Sequence, residues 1–462
     1  MVKIPTKFED LVPPAAFGKI LDVLNQPAIS GAVREALNRV GLKDVSPIDQ
    51  VQEAWQQARD WVGQLANRFT HTGLANPQVI NATGELVRAE CGGLPMAPSV
   101  VEAYVSQAVN FHDRLRLEES CHHAAAHLLE AEEAVCTSNL ALALQAVTKS
   151  FKSCVVSRAD TVRVPGFGDM RAMLAANGQL LEVGATNGAS QDDWSSSVTS
   201  ANQAIVLVSP NSLSANEAEV QRTAALAVAK STGASVIELL IDGVCSESLV
   251  SSQFQLPVIK SRLENGATAV VFPLDGFLSG PSGACIVGQS KLLKMLRQTV
   301  NAQSWNLRGP AIAAATAAFE RAAIASPLDT CVVDLVPVNI ANLRDRAKRL
   351  AIQISNTEHV AAAIVVDRIA PLGPSPWNRY TGPSIAISIT PRTDNHGLAT
   401  WLRNRTLGPA IHCAISDNDL LIDLRFVLPK DDHQIAHALT VTVPAHESPI
   451  EVAEQVADSS SN

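Results

Sequence analysis

The chain has 462 residues, too many for one hydrophobic core, so two or three domains are expected. Hydrophobic residues make up 47% and charged residues 18%, which excludes disorder as a state of the whole chain. A formal net charge of −9 argues against general nucleic-acid binding as the main business.

The start, MVKIPTKFEDLV, has no long apolar run behind its lysines, and no segment approaches the ~20 apolar residues of a membrane helix. A cytoplasmic protein without membrane spans is the expectation. The eight cysteines (91, 121, 136, 154, 245, 285, 331 and 413) are scattered with no CxxC pair. They read as small buried hydrophobes in a reducing compartment, not as a zinc ribbon or a disulfide scaffold.

Residues 1–75 read as a helical domain. Its clearest element is 47–69, which Ser46 can cap, Pro47 can open and Asp49 can complete as a capping box. Ile48, Val51, Trp55, Ala58, Val62, Leu65 and Phe69 give it one apolar stripe. From about 78 to 325, short apolar runs alternate with helical patterns. The runs are EAVCT (133–137), CVVS (154–157), QLLEV (179–183), AIVLV (204–208), SVIELLID (235–242), TAVVF (268–272) and ACIVG (284–288). Strands apolar throughout and separated by helices imply a mostly parallel sheet covered on both faces. After Pro327 the pattern changes. VVDLV, AAIVVD, SIAISIT, AIHCAI and DLLIDLRFV read as strands, with helices near 341–352 and 395–405, and the tail after Pro449 is expected to fray. The expected domains are therefore 1–75 (helical), 76–326 (large α/β) and 327–462 (small α+β).

Four segments, in this order, carry a family likeness: Ile80-Asn81-Ala82-Thr83-Gly84; Leu181-Glu182-Val183-Gly184-Ala185-Thr186-Asn187; Leu274 to Gly283 with Ala284-Cys285-Ile286-Val287-Gly288; and Leu420 to Pro429. Together they resemble the bacterial L-seryl-tRNA(Sec) selenium transferases, which are fold-type I pyridoxal-phosphate enzymes. The resemblance implies a large domain with a seven-stranded sheet, a small C-terminal domain and a site between subunits of a homo-oligomer. It also implies pyridoxal phosphate as cofactor and a tRNA carrying serine as partner, converted to selenocysteine with a selenium donor.

That chemistry needs a lysine amine for a Schiff base, a carboxylate for the pyridinium nitrogen and donors at a helix start for the phosphate. The family places its lysine directly after the aspartate before Gly-Gly-Pro; here that slot is Gly276, after Asp275. Lys260 and Lys291 are the nearest lysines in sequence. The ring carboxylate falls at Leu239, and Glu238 faces the other side of the sheet. Asp242 is the better candidate acid; a turn residue before Gly243 is its other reading. Thr137, Ser138 and Asn139 sit at a strand–helix corner, as a phosphate cradle or as a plain helix cap. The family's basic stretch upstream reads here as Leu117-Glu118-Glu119-Ser120-Cys121-His122-His123.

Three further groups stand out in the sequence. His123, His127 and Glu119 can share one helix face with His122 beside them, as a zinc-like ligand set or as an ordinary polar face. Asp423 and Arg425 fit the family pattern and also fit a surface pair on a sheet. Arg344 to Arg349 reads as a solvated helix face. Residues 1–75, the tRNA module by likeness, carry eight basic and eight acidic residues, without the basic excess that phosphate binding favours. The expected function is a divergent homologue without pyridoxal catalysis, kept for oligomerisation or regulation. The alternatives are an active enzyme with a displaced lysine, and a metal-binding protein using His122, His123 and His127.

Overall fold

The structure is a computed structural model that describes residues 78–88, 93–111, 113–176, 179–245, 254–299, 307–324, 329–392, 394–404, 408–416 and 419–440. The helical domain 1–75, its helix 47–69 and the tail after Pro449 lie outside the described residues. Ile80–Asn404 and Ile411–Asn462 belong to one compact unit, whereas Met1–Val79 and Arg405–Ala410 fall in another. No helix among the described residues is long and apolar enough to cross a membrane.

The chain enters through β1 (Val79–Ala82) and two helices, α1 (Pro98–Ala108) and α2 (Arg114–Leu128). Pro98 opens α1, and the Asp113 carboxylate accepts the amides of Leu115 and Arg116 at the start of α2. Then β2 (Glu133–Thr137), α3 (Leu140–Lys149) and β3 (Ser153–Ser157) follow. A small hairpin, β4 (Arg163–Val164) and β5 (Gly168–Asp169), leads through α4 (Met170–Ala175) to β6 (Leu180–Val183). Next come α5 (Gln191–Ser197), β7 (Gln203–Ser209), α6 (Ala215–Thr232) and β8 (Ser235–Leu240). Both α5 and α6 begin with full capping boxes, Ser190 with Asp193 and Ser214 with Glu217. The large half closes with α7 (Ile259–Glu264), β9 (Ala269–Pro273), β10 (Ala284–Gly288), α8 (Ser290–Thr299) and α9 (Pro310–Ala323).

The seven apolar runs form one sheet, in the order β2-β10-β9-β8-β7-β3-β6. Four neighbouring pairs are parallel; β10 alone runs antiparallel, to both β2 and β9. Every residue of β3, β9 and β10 is buried, as a sheet covered on both faces requires.

The second half holds α10 (Ile340–Ser355), β11 (Val360–Pro371), β12 (Thr381–Pro391), α11 (Asn395–Arg403), β13 (Ala410–Ser416), β14 (Asp419–Asp423) and α12 (Asp432–Thr440). Its five-stranded sheet runs β1-β13-β14-β12-β11. The segment at 79–82 thus joins the small sheet, not the large one it precedes in sequence. VVDLV is not a strand. Residues 332–335 form a 3₁₀ turn, because the Asp334 carboxylate accepts the Cys331 amide at 2.8 Å and also pairs with Arg321. Arg346 leaves the expected solvated face: it is nearly buried, clasping Asp432 at 2.6 Å and donating to the Val427 carbonyl at 2.7 Å.

Two of the family-like segments meet in space. The Asn81 Oδ1 accepts the Thr83 hydroxyl at 2.8 Å, and the Asn81 amide donates to the Glu85 carbonyl at 2.6 Å. This local turn brings Gly84, at φ +87°, against Asp423: an added Cβ would lie 2.6 Å from Asp423 Oδ2. Asp423 and Arg425 are both fully buried, so the surface-pair reading fails. Ser384 donates to Asp423 Oδ1 at 2.6 Å, Arg368 reaches Oδ2 at 3.3 Å, and Arg425 donates to the carbonyls of Val336 and Pro383. These segments build the small-sheet frame.

Candidate functional site

In open parallel sheets, ligands meet the carboxyl ends of the strands, and this chain places two fully buried acids there. Asp160 follows β3, and Asp242 follows β8. Both are fully buried. Asp160 accepts from Asn211 at 2.7 Å, from Gln221 at 3.1 Å and from the Val208 amide at 3.3 Å. Burial nevertheless pushes its carboxyl up to about 7. Asp242 Oδ2 accepts the Ser209 hydroxyl at 2.6 Å and the Tyr380 hydroxyl, while Oδ1 has no hydrogen-bond partner. Burial raises the Asp242 carboxyl, and the nearby Arg379 guanidinium opposes that rise. Tyr380 and Arg379 went unnoticed in the sequence, because nothing local marks a loop of the small sheet as a neighbour of β7 and β8.

The loop between β9 and β10 carries the lysine slot. It is compact: Leu274 N–H donates to Gly283 O at 2.9 Å, Ser279 N–H to Gly276 O at 2.9 Å, and Leu94 N–H to Asp275 O at 3.2 Å. An added Cβ at Gly276 would sit 3.6 Å from the Ile241 carbonyl oxygen, beside the residue before Asp242, and 3.1 Å from Pro273 Cγ. The slot and Asp242 are therefore neighbours, as the likeness implies, and the slot is buried and without an amine. Lys260 lies in α7, with Nζ 2.6 Å from Glu130 and 3.9 Å from Glu264. Lys291 is exposed on α8.

At the β2–α3 corner, Asn139 caps the helix by accepting the Leu142 amide at 2.8 Å. The Thr137 hydroxyl donates to the Asn139 carbonyl at 2.9 Å. Two of the three groups proposed for a phosphate are thus spent on the chain itself, and Ser138 remains half-buried between them. Glu118 is paired with Arg114 at 2.7 Å, and Glu119 is exposed. Residues 117–123 hold no lysine or arginine. Among the described residues the Gly276 slot offers no amine to tether pyridoxal phosphate, and the corner leaves only the Ser138 hydroxyl and the Asn139 amide nitrogen as side-chain donors for a dianion. Asp242 Oδ1 alone keeps an acceptor of the required kind.

The histidine cluster does not assemble. The ring of His122 turns inward and its Nε2 accepts the Cys136 amide at 3.2 Å. Burial, aided by Arg297, holds its ring down to about 4, so it is neutral at pH 7. His123 and His127 lie with ring centroids 6.2 Å apart. His122 and His123, but not His127, border an open cleft of 620 Å³ that also takes in Arg116, Glu119 and the Glu133–Arg297 pair. Among the described residues no group of three or more His, Cys, Asp or Glu side chains is placed to hold a metal ion, so His122, His123 and His127 do not form such a group. Cys121, Cys136, Cys154, Cys285 and Cys331 are buried free thiols, as the small-hydrophobe reading expects.

Comparison with known proteins agrees with this architecture. The family model described as L-seryl-tRNA selenium transferase matches residues 79–428. The L-seryl-tRNA(Sec) selenium transferase of Moorella thermoacetica is 24% identical over 440 residues, covering 90% of this chain and 91% of its own. That of Hyphomonas neptunium is 24% identical over 448 residues, covering 92% and 95%. Among solved structures, D-glucosaminate-6-phosphate ammonia-lyase superposes with a TM-score of 0.58 at 16% identity, covering 80% of this chain and 97% of that one; this likeness concerns the fold alone.

Proposed function

Because the chain belongs to the L-seryl-tRNA selenium transferase family over residues 79–428, we propose that it is a member that keeps the fold-type I pyridoxal-phosphate-transferase architecture without the family's catalysis. One observation carries this reading: the position that should hold the Schiff-base lysine is the buried Gly276, beside Asp242, with Lys260 committed to Glu130 elsewhere. A Schiff base needs a primary amine within bonding distance of the carbonyl, and no other contact substitutes for it. The tRNA of the family's activity would fall to residues 1–75, which are charge-balanced and lie outside the described residues.

The test is covalent trapping. Purified protein incubated with pyridoxal phosphate and reduced with borohydride is expected to yield no pyridoxyl-modified peptide from residues 254–299, and to stay colourless. A stoichiometric adduct on Lys260 or Lys291 would return the displaced-lysine enzyme to first place.

The role that remains is assembly, and we place a homo-oligomer contact on α1 and the turn into α2. Val101, Tyr104, Val105, Val109, Phe111 and Leu115 are exposed there, six of the thirteen exposed large hydrophobics among the described residues. So dense an apolar patch marks an interaction site. Asp113, Arg114 and Arg116 border it with both signs of charge, which suits a self-complementary twofold contact. The double substitution Val105→Glu, Phe111→Glu is expected to lower the solution mass by half or more in light scattering. An unchanged mass would move the contact elsewhere.

A further inference from the structure

The β11–β12 hairpin is laddered up to the pair Pro371–Thr381, and the nine residues Leu372–Tyr380 form its loop. The loop closes on itself: Leu372 N–H donates to Tyr380 O at 2.8 Å, and Trp377 N–H to Pro374 O at 2.8 Å. Its outer side, Pro374, Ser375 and Asn378, is exposed, whereas Trp377 and Tyr380 point inward and are buried. The inward side covers the carboxyl ends of β7 and β8. Tyr380 donates to Asp242, and Arg379 Nη1 donates to Asn211 Oδ1 at 2.9 Å and to the Leu213 carbonyl at 3.3 Å. The Trp377 ring lies 6.2 Å from those of Phe167 and Phe277, the latter directly after the glycine of the lysine slot.

This seat is poorly satisfied. Among the described residues seven buried side-chain N or O atoms lack a hydrogen-bond partner, and three of them are here: Asp242 Oδ1, Arg379 Nε and Trp377 Nε1. A permanent piece of core leaves its polar atoms paired, since each unpaired one forfeits solvation without compensation. The closed loop keeps the burial of two aromatic side chains and gives up three hydrogen bonds that water or a ligand would restore. Those two effects are opposed and comparable in size.

We propose that Leu372–Tyr380 is a lid, closed in this structure, whose opening exposes Asp242 at the strand ends to a small ligand. The unpaired atoms state what the ligand offers: an N–H or O–H for Asp242 and an acceptor oxygen for Arg379. The lid swings on the hairpin base at Pro371 and Thr381, leaving β11 and β12 in register. The proposal is independent of whether a cofactor is ever tethered, because it concerns only the loop and its seat.

Hydrogen exchange read by mass spectrometry on the full chain tests it. Peptides covering 372–380 are expected to exchange at least about tenfold faster than peptides covering β7, β8 and 385–389, because their amides are freed by local opening. Tyr380→Phe keeps the ring and deletes only the donor to Asp242, so it is expected to speed lid exchange by a further factor of about ten while the strands are unchanged. Arg379→Gln, which removes the clasp on Asn211, is expected to act in the same direction. If the wild-type lid exchanges no faster than β12, and neither substitution separates the two, the loop is fixed core and the lid does not exist.

Discussion

Gly84→Ala will cost about 3–5 kcal/mol of folding stability, read from the shift in urea midpoint at unchanged slope. Two effects add. At φ +87° an alanine carries left-handed backbone strain of about 1–2 kcal/mol. Its methyl would also stand 2.6 Å from Asp423 Oδ2 and 2.8 Å from Cγ. Asp423 has no room to yield, because Ser384 holds one oxygen and Arg368 the other, and the whole side chain is buried. The double variant Gly84→Ala, Asp423→Ala separates the terms: space returns and only the backbone share of the Gly84 effect should persist. A single-variant loss below about 1 kcal/mol would show that Asp423 moves aside and that the contact is looser than its geometry.

Arg425→Met is expected to cost a similar ~3–5 kcal/mol, the range for breaking a buried charged network. Methionine keeps much of the volume but none of the donors. The carbonyls of Val336 and Pro383 lose their guanidinium partner, and the Phe254 ring loses the cation 5.5 Å from its centre. Asp423, whose carboxyl burial already raises, loses its nearest compensating charge but one. Arg425→Lys retains the charge and should recover less than half of the loss, because one ammonium cannot span two carbonyls as a planar fork does. Full recovery by lysine would reduce the role of Arg425 to simple charge balance.

The large sheet was legible because each strand is apolar along its whole length and stands apart from amphipathic helices; the seven runs and the observed strands coincide. VVDLV failed because the same β-branched residues are read locally, while the outcome was set by Asp334 reaching Cys331 and Arg321. For Asp423 and Arg425 the surface-pair reading failed, and the family-pattern reading stood, for a related reason. Alternation along a strand gives the face of a side chain but not what lies above that face. Arg346 repeats the lesson on a helix: its charge is paid back by Asp432, 86 residues away in sequence. At the site, Gly276 and Asp242 were readable as positions, and their proximity followed from the likeness. The covering loop was not readable. Tyr380 and Arg379 reach the strand ends only because the β11–β12 loop folds over the large half, a contact with no sequence signature.

The contact between Gly84 and Asp423 has a diagnostic consequence. The stretches by which this chain declares its kinship are, in part, joinery: one buttresses the other, whereas the nearest atoms to the position where an amine would have to stand belong to Pro273 and Ile241. Genome surveys keyed to such stretches will gather scaffolds of common descent, and the residue after Asp275, a glycine here, is the position to read beside them.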